Sequence, residues 1–466
     1  MAEELREAPA AAADAPRRYR LVDILRELGR PRVALMLALG LSSGLPFALI
    51  GNTLGFWLHQ DKVGVAMIGL ISAVGFAYTV KFVWGAIVDR IKAPVIGVLG
   101  RRRSWMIISQ LVVVAGLMGM AAVDPKLRLG WFVAAAALTA IGAATQDTAI
   151  DAWRIETAED ANELGLLTSA YSLGYRVALV LTEAVILIVA KRIGWPLSYV
   201  IYGAAMVIGL AAALLVREPA RAEAVMEEKA NAAARHPLIG VYDAVLGPLI
   251  AFFRAHGVGM AALMLAMISL YHLCDYMRGP MTGPYYEALK IDNDTIGLVR
   301  LFVGTPGSLV GIALGGFCAF RLGRLTTLIL GAFLQPLAIG AFAILGWHGG
   351  DFALLALGPV KITAFEAIMA FDAVAIGFSG VALVTYMSSL TSLGYTATQY
   401  ALLTSALAFL GKTAKSFSGF FVEALEPGRS LLDAYALFYV ASALVAIPAI
   451  LLCFVLLWVR PARTTG

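Results

Sequence analysis

The sequence predicts an all-α polytopic membrane protein, with twelve transmembrane helices in two six-helix bundles and both termini in the cytoplasm. Three observations carry that prediction. Of 466 residues, 60% are apolar and only 14% charged, and the mean hydropathy is +0.81. Soluble domains run about 45–50% apolar and about 25% charged. Apolar runs of the ~20 residues needed to cross a bilayer recur along the whole chain. The second half also repeats features of the first. Such a composition excludes a soluble enzyme, a nucleic-acid binder and a disordered scaffold, even though the net charge is +5.

In chain order, residues 1–32 read as a disordered cytoplasmic tail with a short interfacial helix. Glu3, Glu4, Glu7 and Asp14 lie there among alanines and prolines, which is not the pattern of a cleaved signal peptide. Spans are expected near 33–58, 64–88, 104–123, 130–153, 164–190 and 195–216, forming an N-terminal bundle over 33–216. Residues 217–257 form a cytoplasmic linker: a polar run, Arg217–Arg235, then an amphipathic piece from Pro237 to Phe253 that suits the membrane surface. Six further spans, near 261–286, 295–320, 325–347, 358–388, 396–423 and 431–459, make a C-terminal bundle over 258–460, and 461–466 is a short tail.

Orientation follows from Lys and Arg, which accumulate on the cytoplasmic side of short loops. With the N-terminus inside, 22 basic residues fall on the inner side and eight on the outer. Cys274, Cys318 and Cys453 all lie inside apolar runs, as small buried hydrophobes do.

A shift of 228 positions superposes Gly51 on Gly279, Gly55 on Gly283, Trp57 on Tyr285, and Ile68-Gly69-Leu70 on Ile296-Gly297-Leu298. Six spans, a linker and six more spans is how a duplicated carrier reads, its site near the midplane of a cavity that opens alternately.

Between the second and third spans stand Gly85, Asp89-Arg90 and Gly100-Arg101-Arg102-Arg103, with Lys92–Leu99 inserted between them. This resembles the loop signature of the major facilitator superfamily. Gly85 allows close helix approach, and Asp89 is placed for a basic partner to latch. Plain inner-side charge accounts for Arg101, Arg102 and Arg103 but not for Gly85 and Asp89. Gly315-Gly316 with Arg321 and Gly323-Arg324 form a weaker counterpart after the eighth span. The fifth span lacks the Gly-Pro-rich motif of that superfamily's antiporters.

Ionisable residues inside apolar spans are costly, so they are functional candidates by default. The first half carries Lys81, Asp147, Asp151, Arg176 and Glu183; the second carries Asp275, Arg278, Arg300, Asp372, Lys412 and Lys415. Asp147 and Asp151, four apart, share a helix face, and depth allows a Lys81–Asp147 pair. Asp275, Asp372 and Lys412 reach similar depth in the second half. Asp151 with Arg154 is equally readable as a neutralising structural pair. Asp147, Asp275, Asp372 and Glu183 are the proton-coupling candidates, though Glu183 can also face a packed helix. Six basic against five acidic groups make the lumen mildly cationic, which suits a carboxylate-bearing cargo.

Tyr171, Tyr175, His272 and Tyr276 are cavity candidates, since aromatic rings stack on sugar faces. Tyr285 and Tyr286 fit an interfacial aromatic belt better.

Several of these strings resemble the AmpG-type muropeptide permeases: Ser42-Ser43-Gly44-Leu45-Pro46; Lys81-Phe82 before the Asp89-Arg90 loop; Gln146-Asp147-Thr148-Ala149-Ile150-Asp151-Ala152-Trp153-Arg154; Thr398-Gln399-Tyr400-Ala401-Leu402-Leu403-Thr404-Ser405-Ala406; and Phe421-Val422-Glu423. The resemblance implies proton-coupled import of anhydromuropeptides, cell-wall fragments, across a bacterial inner membrane. By position it implies lumen roles for Lys81, Asp147, Asp151, Asp275 and Gln399. Arg278 and Phe371-Asp372 depart from the family's pattern. Related permeases carry siderophores or acetyl-CoA, so a permease for such an organic anion is the alternative.

The expected protein is therefore a monomeric carrier, not an enzyme, for a sugar peptide or other organic anion. It works in a lipid bilayer without nucleic acid, metal or resident cofactor, and the proton gradient supplies the energy. Its cavity candidates are Lys81, Arg176, Tyr171, Tyr175, His272, Tyr276, Arg278, Gln399, Lys412 and Lys415. Its cytoplasmic gate is Gly85, Asp89, Arg90, Arg102, Arg103, Asp151 and Arg154.

Overall fold

A computed structural model describes residues 30–63, 81–94, 96–235, 246–349, 353–357, 360–415 and 417–459. Among these, ten helices or runs of helical segments are long and apolar enough to cross a membrane. The N-terminal tail to residue 29, the second span up to residue 80, residues 236–245 of the linker, and the C-terminal tail from residue 460 lie outside the described residues. Contacts divide the chain into two units. The first runs to Ala255 and takes in Ser388–Ser405; the second holds His256–Met387 and the chain from Ala406 onward.

The first unit opens with α1 (Pro31–Leu49), where Pro31 stands in the first turn because its missing N–H is not needed there. Then come α2 (Asn52–Gln60), α3 (Lys81–Arg90), α4 (Arg101–Ala122), α5 (Leu129–Thr157) and α6 (Ala161–Val180). The Asp160 side chain accepts from the amides of Asn162 at 2.9 Å and Glu163 at 2.7 Å, which starts α6. Lipid offers helices no hydrophobic drive toward each other, so close van der Waals approach of small residues must hold them. A Cβ on Gly40 would fall on the Tyr171 carbonyl, and one on Gly174 on the Leu37 carbonyl, so α1 and α6 touch backbone to backbone. A π turn, Leu181–Val185, leads to α7 (Ile186–Ile193), followed by α8 (Trp195–Ala205) and α9 (Val207–Leu215). Trp57 meets Phe132 edge-on at 5.0 Å, stacks on Trp195 at 6.1 Å and tilts on Tyr199 at 4.7 Å.

The polar run of the linker folds as α10 (Ala220–Arg235), seated through buried Ala222 and Met226. Lys92 Nζ lies 2.9 Å from both Glu223 and Glu227. Those bonds, Glu223 first, raise the Lys92 ammonium, and the same bond holds Glu227 below the usual carboxylate range. Glu218 accepts from the Arg103 amide at 2.6 Å, but burial pushes its carboxyl up on balance. The described end of the amphipathic piece is α11 (Gly247–His256).

The second unit holds α12 (Val258–Tyr271), α13 (Leu273–Arg278), α14 (Thr282–Ala288), α15 (Asn293–Val299), a π turn Arg300–Gly304, α16 (Thr305–Leu322) and α17 (Arg324–His348). An antiparallel hairpin of β1 (Ala353–Leu357) and β2 (Val360–Thr363) follows, pairing Leu357 with Val360 and Ala353 with Thr363. It corrects the all-α expectation and the helical start near 358. The β-branched Val360, Ile362 and Thr363 favour an extended chain. The span itself is α18 (Ala364–Ser388). The expected span 396–423 is two helices, α19 (Thr396–Lys415) and α20 (Ser418–Leu425), before α21 (Leu431–Leu444) and α22 (Ile447–Trp458).

Tyr285 and Tyr286 are fully buried, not in an interfacial belt. Tyr285 packs on Tyr439 at 4.7 Å and Tyr435 at 5.2 Å, and its hydroxyl donates to the Phe342 carbonyl at 2.6 Å. The burial has a reason: the last turns of α14 pack on α21, as α2 packs on α8 through Trp57, the residue that Tyr285 repeats.

Candidate functional site: three buried charge clusters

The first cluster surrounds Asp89 at the end of α3. Its Oδ2 accepts from the Thr398 amide at 2.9 Å and the Thr398 hydroxyl at 2.7 Å, and Oδ1 accepts from the Ala397 amide at 3.2 Å. These amides open α19, whose positive end favours a carboxylate. Arg102 donates to Asp89 at 2.7 Å and grips Glu156 at 2.5 and 2.9 Å, a two-pronged hold that fixes the carboxylates. Gly85 makes the approach possible: a Cβ there would lie 2.8 Å from Thr398 Cα. Arg90 lies over the Tyr395 ring at 5.7 Å, and Arg103 is bonded to Glu218 and the Leu214 carbonyl. Asp89 thus has a basic partner in Arg102, and the helix start of α19 supplies the rest of what it holds.

The second cluster is on α5. Asp151 is flanked by Arg154 at 3.1 Å and Lys81 at 3.7 Å. Lys81 therefore meets Asp151, one turn beyond the Asp147 partner that depth had indicated. Asp147 instead accepts from Ser43 of α1 and from the Tyr171 hydroxyl at 3.3 Å. The Arg154 guanidinium lies between two rings, 5.2 Å from Tyr171 and 5.5 Å from Tyr400, and donates to Ser388 Oγ at 3.1 Å. Lys81 is 5.8 Å from the Tyr400 ring.

The third cluster belongs to the second unit. Arg278 of α13 bonds Asp275 through Nε and Nη2, each at 3.0 Å, and Asp372 of α18 through Nη1 at 2.9 Å. Its guanidinium lies 5.6 Å from the Phe342 ring, and Arg300 lies 5.9 Å from the Tyr286 ring.

The sequence model described as Major Facilitator Superfamily matches residues 33–370. The chain is 30% identical over 434 residues to the anhydromuropeptide permease of Escherichia coli K12, covering 92% of this chain and 81% of that one. The chain belongs to the AmpG-type family of the major facilitator superfamily. It is also 27% identical to the putative transporter AmpG 4 of Rickettsia conorii, over 82% of this chain and 87% of that one. In fold it is similar to a double-Trp mutant of XylE, with a TM-score of 0.63 at 15% identity over 91% and 94% of the two chains. The proton:xylose symporter XylE bound to 6-bromo-6-deoxy-D-glucose matches with a TM-score of 0.58 at 16% identity, over 90% and 94%. An AmpG-type chain with these spans is a multi-pass protein of the bacterial inner membrane.

In this AmpG-type chain the remaining candidates are placed as follows. Tyr175 lies beside Tyr171, ring centroids 6.0 Å apart, and Arg176 is half-buried next to it on α6. Glu183 is exposed in the π turn after α6. His272 joins α12 to α13, edge-on to Tyr271 at 5.2 Å. Tyr276 fills the space over Gly411. Gln399 holds the Pro248 carbonyl at 2.8 Å and the Ser392 amide at 2.6 Å, so both ends of its side chain bind backbone. Lys415 is exposed near the end of α19, and the Lys412 side chain lies outside the described residues.

Sequence reasoning passed over Ser43, Glu156, Phe342, Tyr400 and Tyr439. Ser43 and Tyr400 lie inside the strings that carry the family resemblance, which was the available signal. Glu156 follows Arg154 near the end of its span, where a charge reads as ordinary loop chemistry.

Proposed function

We propose that the chain is a proton-coupled importer of anhydromuropeptides, with twelve spans and both termini in the cytoplasm. One observation carries the reading: buried or partly buried carboxylates are held against cations on spanning helices of both units, at Lys81–Asp151–Arg154 and at Asp275–Arg278–Asp372. Charges sunk in spanning segments mark substrate and proton pathways. The anhydromuropeptide permease of E. coli K12, similar over 92% of this chain, supports the cargo. The tyrosines around Arg154 suit a sugar face, and the arginines suit a peptide carboxylate. The work is transport without catalysis, by a monomer with no resident cofactor.

Tritiated anhydromuropeptide should accumulate in right-side-out inner-membrane vesicles containing the protein, and a protonophore should collapse the accumulation. Uptake indifferent to the gradient removes the coupling. Uptake of a siderophore or a nucleotide thioester in its place gives the cargo to the alternative reading.

A further inference from the structure

We infer that the Asp275–Arg278–Asp372 triad is an exchange site, in which a proton on Asp372 releases Arg278 to receive a carboxylate of the cargo. This rests on the importer reading above.

The two units differ in charge. On α3 and α5, two acids (Asp147, Asp151) face two cations (Lys81, Arg154). In the triad, two acids share one guanidinium, which among the described residues leaves an excess negative charge beside aromatic rings. An uncompensated buried charge is expensive, and a proton is the smallest thing that removes it.

Geometry says which acid takes the proton. The Asp275 side chain is 34% exposed and can be solvated, whereas that of Asp372 is 8% exposed. Asp372 Oδ2 meets Arg278, but its buried Oδ1 has no hydrogen-bond partner among the described residues. A buried polar atom left unmade costs more than a bond returns, and a proton on Oδ1 removes the charge that makes the vacancy costly.

Among the described residues, the groups around Asp372 come from three helices and their neighbours. From α13 come Asp275 and Arg278, from α14 Tyr286, and from α21 Tyr439; Arg300 stands behind Tyr286, and His272 adjoins Asp275. Glu366, on the same helix, is turned back to the Thr363 amide at 2.8 Å.

The exchange balances. A proton from water forms the O–H bond on Asp372, and the neutral acid loosens its hold on Arg278 Nη1. Asp275 keeps Nε and Nη2, so the guanidinium stays in place with its Nη1 edge turned to a carboxylate of the cargo. When the cargo leaves, Arg278 returns to Asp372 and the proton goes to water. No bond other than that O–H is made or broken.

The test uses the full chain in proteoliposomes. Asp372→Asn should still exchange tritiated anhydromuropeptide across equilibrated membranes, but accumulation driven by a pH gradient should fall at least tenfold. Arg278→Lys should raise the KM for anhydromuropeptide at least tenfold and change the KM for its peptide C-terminal amide far less. Without any cargo, one component of the infrared carbonyl stretch of protonated acids, beside that of groups such as Glu218, should be present in the parent, absent in Asp372→Asn and retained in Asp147→Asn. Should Asp372→Asn fail to fold, Asp372→Glu should shift the pH midpoint of that band. Accumulation that survives Asp372→Asn, a band that survives it, or an unmoved midpoint in Asp372→Glu overturns the inference. A parent that shows the Asp372-dependent band yet takes up no anhydromuropeptide overturns the importer reading and leaves the proton site standing.

Discussion

The carboxylate of Asp89 caps a helix that begins more than three hundred residues later, receiving both the amide and the hydroxyl of Thr398. Losing an acidic cap costs about 1–2 kcal/mol. Asp89→Asn should therefore lower the thermal unfolding midpoint in detergent, and Asp89→Ala should lower it further. The fall is limited because Glu156 still grips Arg102. An unchanged midpoint for Asp89→Ala would show that the cap carries no stability.

Gly85 and Gly380 separate close approach from helix propensity. A Cβ on Gly85 would lie 2.8 Å from Thr398 Cα, while one on Gly380 would meet nothing within 4 Å. Gly85→Ala should destabilise by about 1–3 kcal/mol through overpacking. Gly380→Ala should be neutral or stabilising by up to about 1 kcal/mol. Equal midpoints for the two variants in thermal unfolding would contradict the backbone contact at Gly85.

Asp147 and Asp151 should behave differently despite sharing one face of α5. Asp151→Asn removes the partner of buried Arg154 and partly buried Lys81, and breaking a buried pair costs about 3–5 kcal/mol. Low yield and a depressed midpoint are the expected result. Asp147→Asn keeps a carbonyl oxygen for Ser43 and Tyr171, so it should fold and insert normally while anhydromuropeptide uptake falls at least tenfold. Comparing purified yield with vesicle uptake checks both halves of the prediction.

Glu218 gives a pH dependence with a definite sign. Burial raises its carboxyl above the ordinary glutamate range, so the folded chain holds that proton more tightly than the unfolded chain. Stability from this group is present at low pH and is lost as pH rises through the raised value. Glu218→Gln cannot ionise. Its midpoint relative to the parent should climb by about 1–2 °C between about pH 4.5 and about pH 7.5. A gap that stays flat or falls over that range would show that the charged form is the favoured one.

Where the sequence was legible, a simple period or length rule was enough. The i,i+4 rule put Asp147 and Asp151 on one face, and span lengths located most of the helices. Partner choice is harder, because depth is read in whole turns: depth sets Lys81 level with Asp147, and a single turn decides that it meets Asp151. The Val360–Thr363 strand escaped because a few largely apolar residues look alike in a short strand and in the start of a span. Tyr285 and Tyr286 were misplaced because an aromatic near a helix end suits both a belt and a core. The third cluster needed long-range information, since nothing near Asp372 in the sequence announces Arg278.

The π turn at Arg300–Gly304 bears on how the internal sequence match between the two halves is traced. Each π turn takes one residue more than an α turn. The internal match holds at a constant offset through Leu298, just before that turn; beyond it the loop counterpart moves from Gly85 to Gly315, an offset of 230 in place of 228. An inserted residue slips the register in that direction and accounts for one of the two positions, so a fixed-offset comparison of the two halves fades after this point. An ungapped comparison of the two halves of this chain therefore understates how far their sequences correspond.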